Sequence, residues 1–271
     1  MARVPQRVGA SSTRQMTRHQ EIIAIARKHG RVNVVQLASR FDVSPQTIRK
    51  DLNDLCEQRL LTRVHGGAII ALGIQNLAYE ARRSIAEVEK RTIGTAAAAL
   101  IPNSSSLFIN IGTTTEEVAN ALKDHSDLLV ITNNLHVAAM LYPHPRIDVV
   151  VAGGAVRRSD GGVVGTHAID LINQFRVDHA IIGVSAIDPD GTLLDFDLEE
   201  VRVAQAIIAN ARAVLLVDDS SKFDRSAPAR IGYLREIDVL ITDRLPSEEW
   251  RTLCAREEVK VIECGPNSEP T

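Results

Sequence analysis

This 271-residue chain has only three cysteines and one tryptophan, and it lacks any long apolar run. Cys56, Cys254 and Cys264 are odd in number and far apart, which excludes a disulfide framework and any zinc-ligand spacing and fits a reducing, cytoplasmic setting. No apolar stretch reaches the roughly 20 residues that span a bilayer. The opening residues "MARVPQRVGASSTRQ" are basic but have no apolar segment behind them, so they do not read as a secretory signal. Aromatics make up only 3% of the chain, so Ala, Val, Ile and Leu must build the core. The eight histidines form no H-E-x-x-H or comparable cluster, "GVSAI" lacks the second glycine of a nucleophile elbow, and no cysteine sits in a catalytic context. No metal, cofactor or enzymatic activity is expected.

Charge is unevenly spread. Residues 1–65 hold 12 Lys and Arg against 5 Asp and Glu, a net of +7, while the whole chain carries −3; the remainder therefore carries −10. A basic head on an acidic body suggests that the head alone meets a polyanion. The expected division is a disordered tail at 1–14, a DNA-binding head at 15–70, a helical linker at 71–90, an α/β body at 91–265 and a tail at 266–271.

The head reads as three helices and a hairpin. "RQMTRHQEIIAIARKHG" is amphipathic and closes on Gly30. "NVVQLASRF" opens on Asn33 and Gln36 at capping-box spacing. After a short turn, "VSPQTIRKDL" places Ser44 as a cap and Pro45 at the first helical position, where its missing N–H costs nothing. At about 100° per residue, Ile48, Leu52 and Leu55 share one side. Gln46, Lys50 and Asn53 lie opposite, with Thr47 and Arg49 on the flanks. Two helices joined by a tight turn form a helix-turn-helix, and an exposed Gln/Arg/Lys/Asn face suits base edges and phosphates. The helix alone is also compatible with an ordinary solvated face. "LLTRVHGGAII" reads as a hairpin turning at Gly66-Gly67, a wing with Arg63 and His65 beside its tip.

These residues, "VSPQTIRKDLNDLCEQRLLTRVHGGA", resemble the N-terminal domain of the DeoR family of bacterial transcriptional regulators. "INIGTTTEEVANAL", "VITNNLHVA", "LLDFDLEEVR" and "DDSSKFDR" continue the resemblance along the chain, from about residue 16 to 245.

Seven apolar runs beyond residue 91, from "SLFINI" to "VKVIE", alternate with helical stretches, which predicts a mostly parallel sheet covered on both faces. In "NIGTTTEEV" a strand ends at a glycine and three threonines enter a helix. Gly112, Thr113, Thr114 and Thr115 could hold a phosphate monoester at a helix N-terminus, or could form an ordinary capped turn. The resemblance implies the former, with a fold like that of sugar-phosphate isomerases. It further implies Lys222 as a cation near the ligand, Asp195 and Glu200 as acceptors for ligand hydroxyls, and Asn133 at the pocket edge. The implied partners are double-stranded operator DNA, further copies of the chain as a dimer or tetramer, and a sugar or polyol phosphate, with glycerol 3-phosphate favoured. The alternative is a sugar-phosphate isomerase with an accessory DNA-binding module. The chain departs from the family at Asn110, where Asp is usual, at Ala204, where many have lysine, and at Ala186 and Asp224, where glycine is usual.

Overall fold

The computed structural model describes residues 18–26, 31–57, 61–64, 66–70 and 79–265, in two compact units divided after Gln75. The expected tails, Gly30 and His65 lie outside the described residues.

In the first unit, helix α1 (18–26), strand β1 (Arg31–Asn33), helix α2 (Val34–Phe41) and helix α3 (Pro45–Glu57) precede the hairpin of β2 (Leu61–Val64) and β3 (Gly67–Ile70). Asn33 caps α2 as expected, its Oδ1 accepting the N–H groups of Val35 and Gln36. Ser44 Oγ accepts the Thr47 N–H and so caps α3. Ile48, Leu52 and Leu55 are fully buried, and they meet Ile22, Leu37 and Leu61 in one core.

The wing differs from expectation in two respects. It is three-stranded, because β1 pairs with β3 on the side away from β2. Gly67 is also not a turn residue: it pairs with Val64 as the first residue of β3, and Gly66 before it stands at φ 77°. Gly67 is instead a close-packing position. A Cβ there would meet the Val32 carbonyl oxygen at 1.9 Å. A three-residue strand such as β1 has too little periodicity to be read from sequence.

In the second unit, α4 (Tyr79–Ser84) and α5 (Glu87–Ala98) come first. Then β4 (Ser106–Ile109), α6 (Thr113–Ala121), β5 (Leu128–Thr132), α7 (Leu135–Leu141) and β6 (Ile147–Val151) form one half of a sheet. A hairpin, β7 (Ala155–Val156) and β8 (Val163–Val164), and helix α8 (Thr166–Ile172) lead to β9 (Val177–Ile182). After β9 come β10 (Ala186–Ile187), β11 (Thr192–Asp195), α9 (Leu198–Ala209), β12 (Ala211–Val217) and β13 (Ala229–Tyr233). Finally β14 (Val239–Thr242), α10 (Glu248–Arg256) and β15 (Lys260–Glu263) complete the unit.

All seven expected runs lie in one parallel sheet of order β15-β14-β12-β9-β4-β5-β6. Alternation along each strand divides the core in two. Leu107, Ile109, Ile181, Leu215 and Ile241 pack with α5, α6 and α7; Phe108, Ala180, Ile182, Leu216 and Leu240 pack with α8, α9 and α10. Period-two strands buried on both sides therefore account for the apolar runs. The order reverses between β4 and β9: the chain builds outward from β4 through β5 and β6, then returns and builds outward from β9. Open α/β sheets bind ligands outside the carboxyl ends of strands at such a point.

Residues 79–90 are largely helical, as expected, and form α4 and the start of α5 within the second unit, with Tyr79 and Lys90 buried. Gly67→Ala should cost the head about 1–3 kcal/mol by overpacking. Hydrogen exchange at 31–33 and 67–70 should accelerate about tenfold to a hundredfold; unchanged exchange would contradict the close approach of β1 to β3.

Candidate functional sites: a cationic helix face and a charged basin

The core behind α3 decides what the helix shows to solvent. With Ile48, Leu52 and Leu55 turned inward, Gln46, Arg49, Lys50 and Asn53 are exposed and Thr47 is half-buried. Arg49 Nη1 donates to Gln46 Oε1 at 3.4 Å, so these side chains lie side by side on one face. The backbone of Arg63 runs in β2.

One residue of α3 went unnoticed in the sequence. Asp51 is buried, and its carboxylate accepts two hydrogen bonds from Arg18 at 2.6 and 3.0 Å and meets His19 at 3.1 Å. That clamp fixes α1 against α3. His19, Asp51 and Asp54 bring ligating atoms within 4.8 Å of one another. With both Asp51 oxygens held by Arg18, the group is a structural ion pair.

In the body, the crevice at the reversal of strand order holds a basin of about 330 Å³. Gly112–Thr115 line it after β4, Gly183–Ser185 after β9 and Asp218 after β12, together with Arg82, Asp195, Glu200 and Lys222. A second lobe shares Arg82, Ser185 and Lys222 and adds Lys90, Asp219 and Arg225. Seven of the eight residues expected at the ligand therefore converge. Asn133 does not line either lobe: its side-chain amide donates to the Val163 carbonyl at 3.2 Å and holds the β7–β8 hairpin.

Gly112, at φ 158° and ψ 148°, opens α6, and no side chain caps that helix. The leading N–H groups of a helix have no intrahelical acceptor, and here they face the basin. Thr115 does not add a free donor, because its hydroxyl bonds to the carbonyls of Asn110 and Gly112, both at 2.8 Å. It shapes the loop, while Thr113 and Thr114 remain at the lining.

Carboxylates and cations are interleaved around the basin. Glu200 is pushed up to about 7 by burial and by Asp195, against the opposing pull of Arg157. Arg157 sits 2.6 Å from Glu200, 2.6 Å from Asp160 and 2.8 Å from Asp197. Burial disfavours its charge, but Glu200 and Asp160 more than offset that and keep it cationic. Asp195 is fixed by the N–H groups of Phe196 and Asp197. Asp218, wholly buried, is pushed up to about 8 by desolvation while accepting the Val184 N–H at 2.7 Å. Four cations line the two lobes, Arg82, Lys90, Lys222 and Arg225, and Asp218 and Asp219 lie among them. Burial draws Lys90 down to about 8 and also lowers Arg225.

The departures from the family pattern have local explanations in two cases. Asp224 adopts φ 53°, a left-handed conformation that Asp tolerates better than most residues, and its Oδ1 accepts the Trp250 indole N–H at 3.3 Å. Ala204 is buried in the apolar core beneath α9. Both side-chain amide atoms of Asn110 are buried without a partner among the described residues; the structure offers no explanation for that choice.

Comparison with known proteins agrees with both halves. The DeoR-like helix-turn-helix domain matches residues 18–72, and the DeoR C terminal sensor domain matches residues 85–244. The chain belongs to the DeoR family. It is 46% identical over 233 residues to the glycerol-3-phosphate regulon repressor of Escherichia coli (strain K12), covering 86% of this chain and 92% of that one. A Haemophilus influenzae protein of the same name is 46% identical over 252 residues, covering 93% and 98%. The transcriptional repressor CsqR of E. coli (strain K12) is 40% identical over 245 residues, covering 90% and 94%. Among solved structures, ribose 5-phosphate isomerase from Plasmodium falciparum overlays 49% of this chain and 52% of its own at 12% identity and a TM-score of 0.37. Translation initiation factor eIF-2B from Pyrococcus horikoshii overlays 87% and 90% at 15% identity and 0.47.

Among the basin residues, Arg82, Lys90, Asp218 and Arg225 escaped the sequence reading. Single charged residues in polar stretches carry no periodic signal; only the position of Asp218 at the end of an apolar run marks it.

The raised Asp218 sets a pH dependence. Its carboxyl holds a proton more readily in the folded than in the unfolded chain, so its contribution is present below about pH 4 and is lost as pH rises toward 8. Asp218→Asn keeps an acceptor for Val184 and removes the titration. Its stability relative to the parent should climb by roughly 1–3 kcal/mol between pH 6 and 8.5, measured by thermal melts; a constant difference would place the proton elsewhere.

Proposed function

We propose that this protein is a transcriptional repressor whose grip on operator DNA is relieved when a small phosphorylated metabolite, glycerol 3-phosphate favoured, enters the basin. The exposed Gln46, Arg49, Lys50 and Asn53 and the half-buried Thr47 of α3, backed by the buried Ile48, Leu52 and Leu55, carry this reading for DNA. Ser44 orients that helix by capping it, and Arg63 and His65 of the wing lie against the phosphate backbone. Gln suits adenine, and Arg and Lys suit guanine or phosphate. In a dimer, two such helices enter successive major grooves about 34 Å apart.

For the effector, the support is the uncapped start of α6, which shares one lobe with the cations Arg82 and Lys222 and the carboxylates Asp195 and Glu200, while Lys90 and Arg225 line the adjoining lobe. Such an arrangement suits a molecule with an anionic end and a polyhydroxyl end. Near-full-length identity of 46% to two glycerol-3-phosphate regulon repressors favours that particular ligand. A 100-fold loss of operator affinity corresponds to about 2.7 kcal/mol of coupling, within the usual range of roughly 1–3.

The isomerase alternative is not favoured. Either Asp195 or Glu200 would have to serve as its base, and the near-full-length relatives at 40–46% identity are named as repressors.

In gel shifts with DNA from the upstream region of its own gene, saturating glycerol 3-phosphate should weaken the complex about 100-fold; unchanged affinity would reject that effector. Arg49→Ala should lose about 1–3 kcal/mol of operator affinity if Arg49 reads a base, and Lys50→Ala should lower the salt slope by about one if Lys50 meets a phosphate. Parental behaviour in both would remove α3 as the reading helix.

A further inference from the structure

Two of the basin's four cations, Arg82 and Lys90, come from the segment through which the chain enters the body. α4 is the first described element of this unit, and residues 71–78 connect it to strand β3 of the head. Six residues are too few for a helix to hold itself together, so side chains must set where α4 lies. Tyr79 Oη donates to Glu116 at 2.6 Å, and its ring stacks on His136 with centroids 4.8 Å apart. Arg82 Nη2 donates to Asp160 at 3.2 Å. Lys90 Nζ donates to the carbonyls of Arg82 and Ile85 at 2.5 and 2.7 Å, gathering the C-terminal end of the helix.

Two of these anchors are also walls of the basin. Arg82 lines both lobes and Lys90 lines one. Arg82 Nε is buried and has no acceptor among the described residues. A buried donor without a partner is costly, and an ammonium held by neutral carbonyls gains when an anion approaches. The third anchor reaches the same feature from the other side, since Glu116 follows Thr115 in the first turn of α6. Each fastening of α4 thus lies on, or next to, a group that faces the ligand.

We infer that Arg82 and Lys90 bind the effector's anionic group and in doing so reset α4, which relays occupancy of the basin to the segment leading to the head. This rests on the effector site proposed above. The anion supplies the acceptor that Arg82 Nε lacks and competes with the α4 carbonyls for Lys90. The position of α4 then differs between the empty and the occupied basin. A ligand shifts an equilibrium only through such differential contacts.

Full-length Arg82→Gln and Tyr79→Phe test this, with operator gel shifts with and without glycerol 3-phosphate and calorimetric titration of the ligand. Arg82→Gln should bind the ligand about tenfold more weakly, having lost a charged hydrogen bond. At ligand saturation its loss of operator affinity should shrink from about 100-fold to under about 10-fold. Tyr79→Phe leaves the basin intact, so ligand affinity should stay within about twofold while the loss of operator affinity shrinks similarly. A purely structural role would change ligand-free operator affinity or melting temperature and leave the saturated ratio untouched. If Arg82→Gln does not fold, Tyr79→Phe decides alone. Full release of both variants overturns the inference; a parental chain that no phosphate releases overturns the proposed function and this inference with it.

Discussion

The reversal of strand order between β4 and β9 is the constraint on which the body depends. Connections leave in opposite directions from two adjacent strands, so a crevice opens at their carboxyl ends. Into that gap run the start of α6, the turn after β9 and the aspartates after β12. Four carboxylates and four cations are gathered there with little solvent. The perturbed Glu200, Asp218 and Lys90 show the physical consequence: desolvation disfavours each charge. A body built for stability alone would gain from apolar residues in these places. Retaining the charges makes sense when a charged ligand completes them.

The head follows a simpler constraint. Three apolar residues of α3 must face α1, α2 and the wing, and that leaves a polar, basic surface on the far side. Asp51, held by Arg18 and His19, fixes the helix against its support. A reading helix needs that rigidity, because base contacts depend on placement to a fraction of an ångström. The surface is cationic where the body is acidic, which confines polyanion binding to one part of a chain whose net charge is −3.

Long elements were legible in the sequence because each carries its own period. The seven sheet strands are apolar runs of four to seven residues, and α3 shows an unambiguous apolar side. The strands β1, β7, β8 and β10, two or three residues long, have no period to read, and their existence depends on neighbours supplied by the fold. α4 was expected to be helical, but as a linker and not as part of the body. "YEARRS" is polar, so it resembles a connection until tertiary contacts bury Tyr79. At the site, Gly112–Thr115 stood out as a loop of unusual composition. Lys222, Asp195 and Glu200 were reached through family resemblance and not through any pattern of their own. Arg82, Lys90, Asp218 and Arg225 become visible only when the sheet brings distant stretches together.

The two units form one account if occupancy of the basin and operator binding are coupled. Thermodynamic linkage makes that coupling reciprocal. The most direct measurement is the affinity of glycerol 3-phosphate for the protein free and saturated with operator DNA, by calorimetry at one salt concentration. The account predicts that operator weakens the ligand by the same factor, about 100-fold, by which the ligand weakens operator. Equal ligand affinity with and without operator would contradict it.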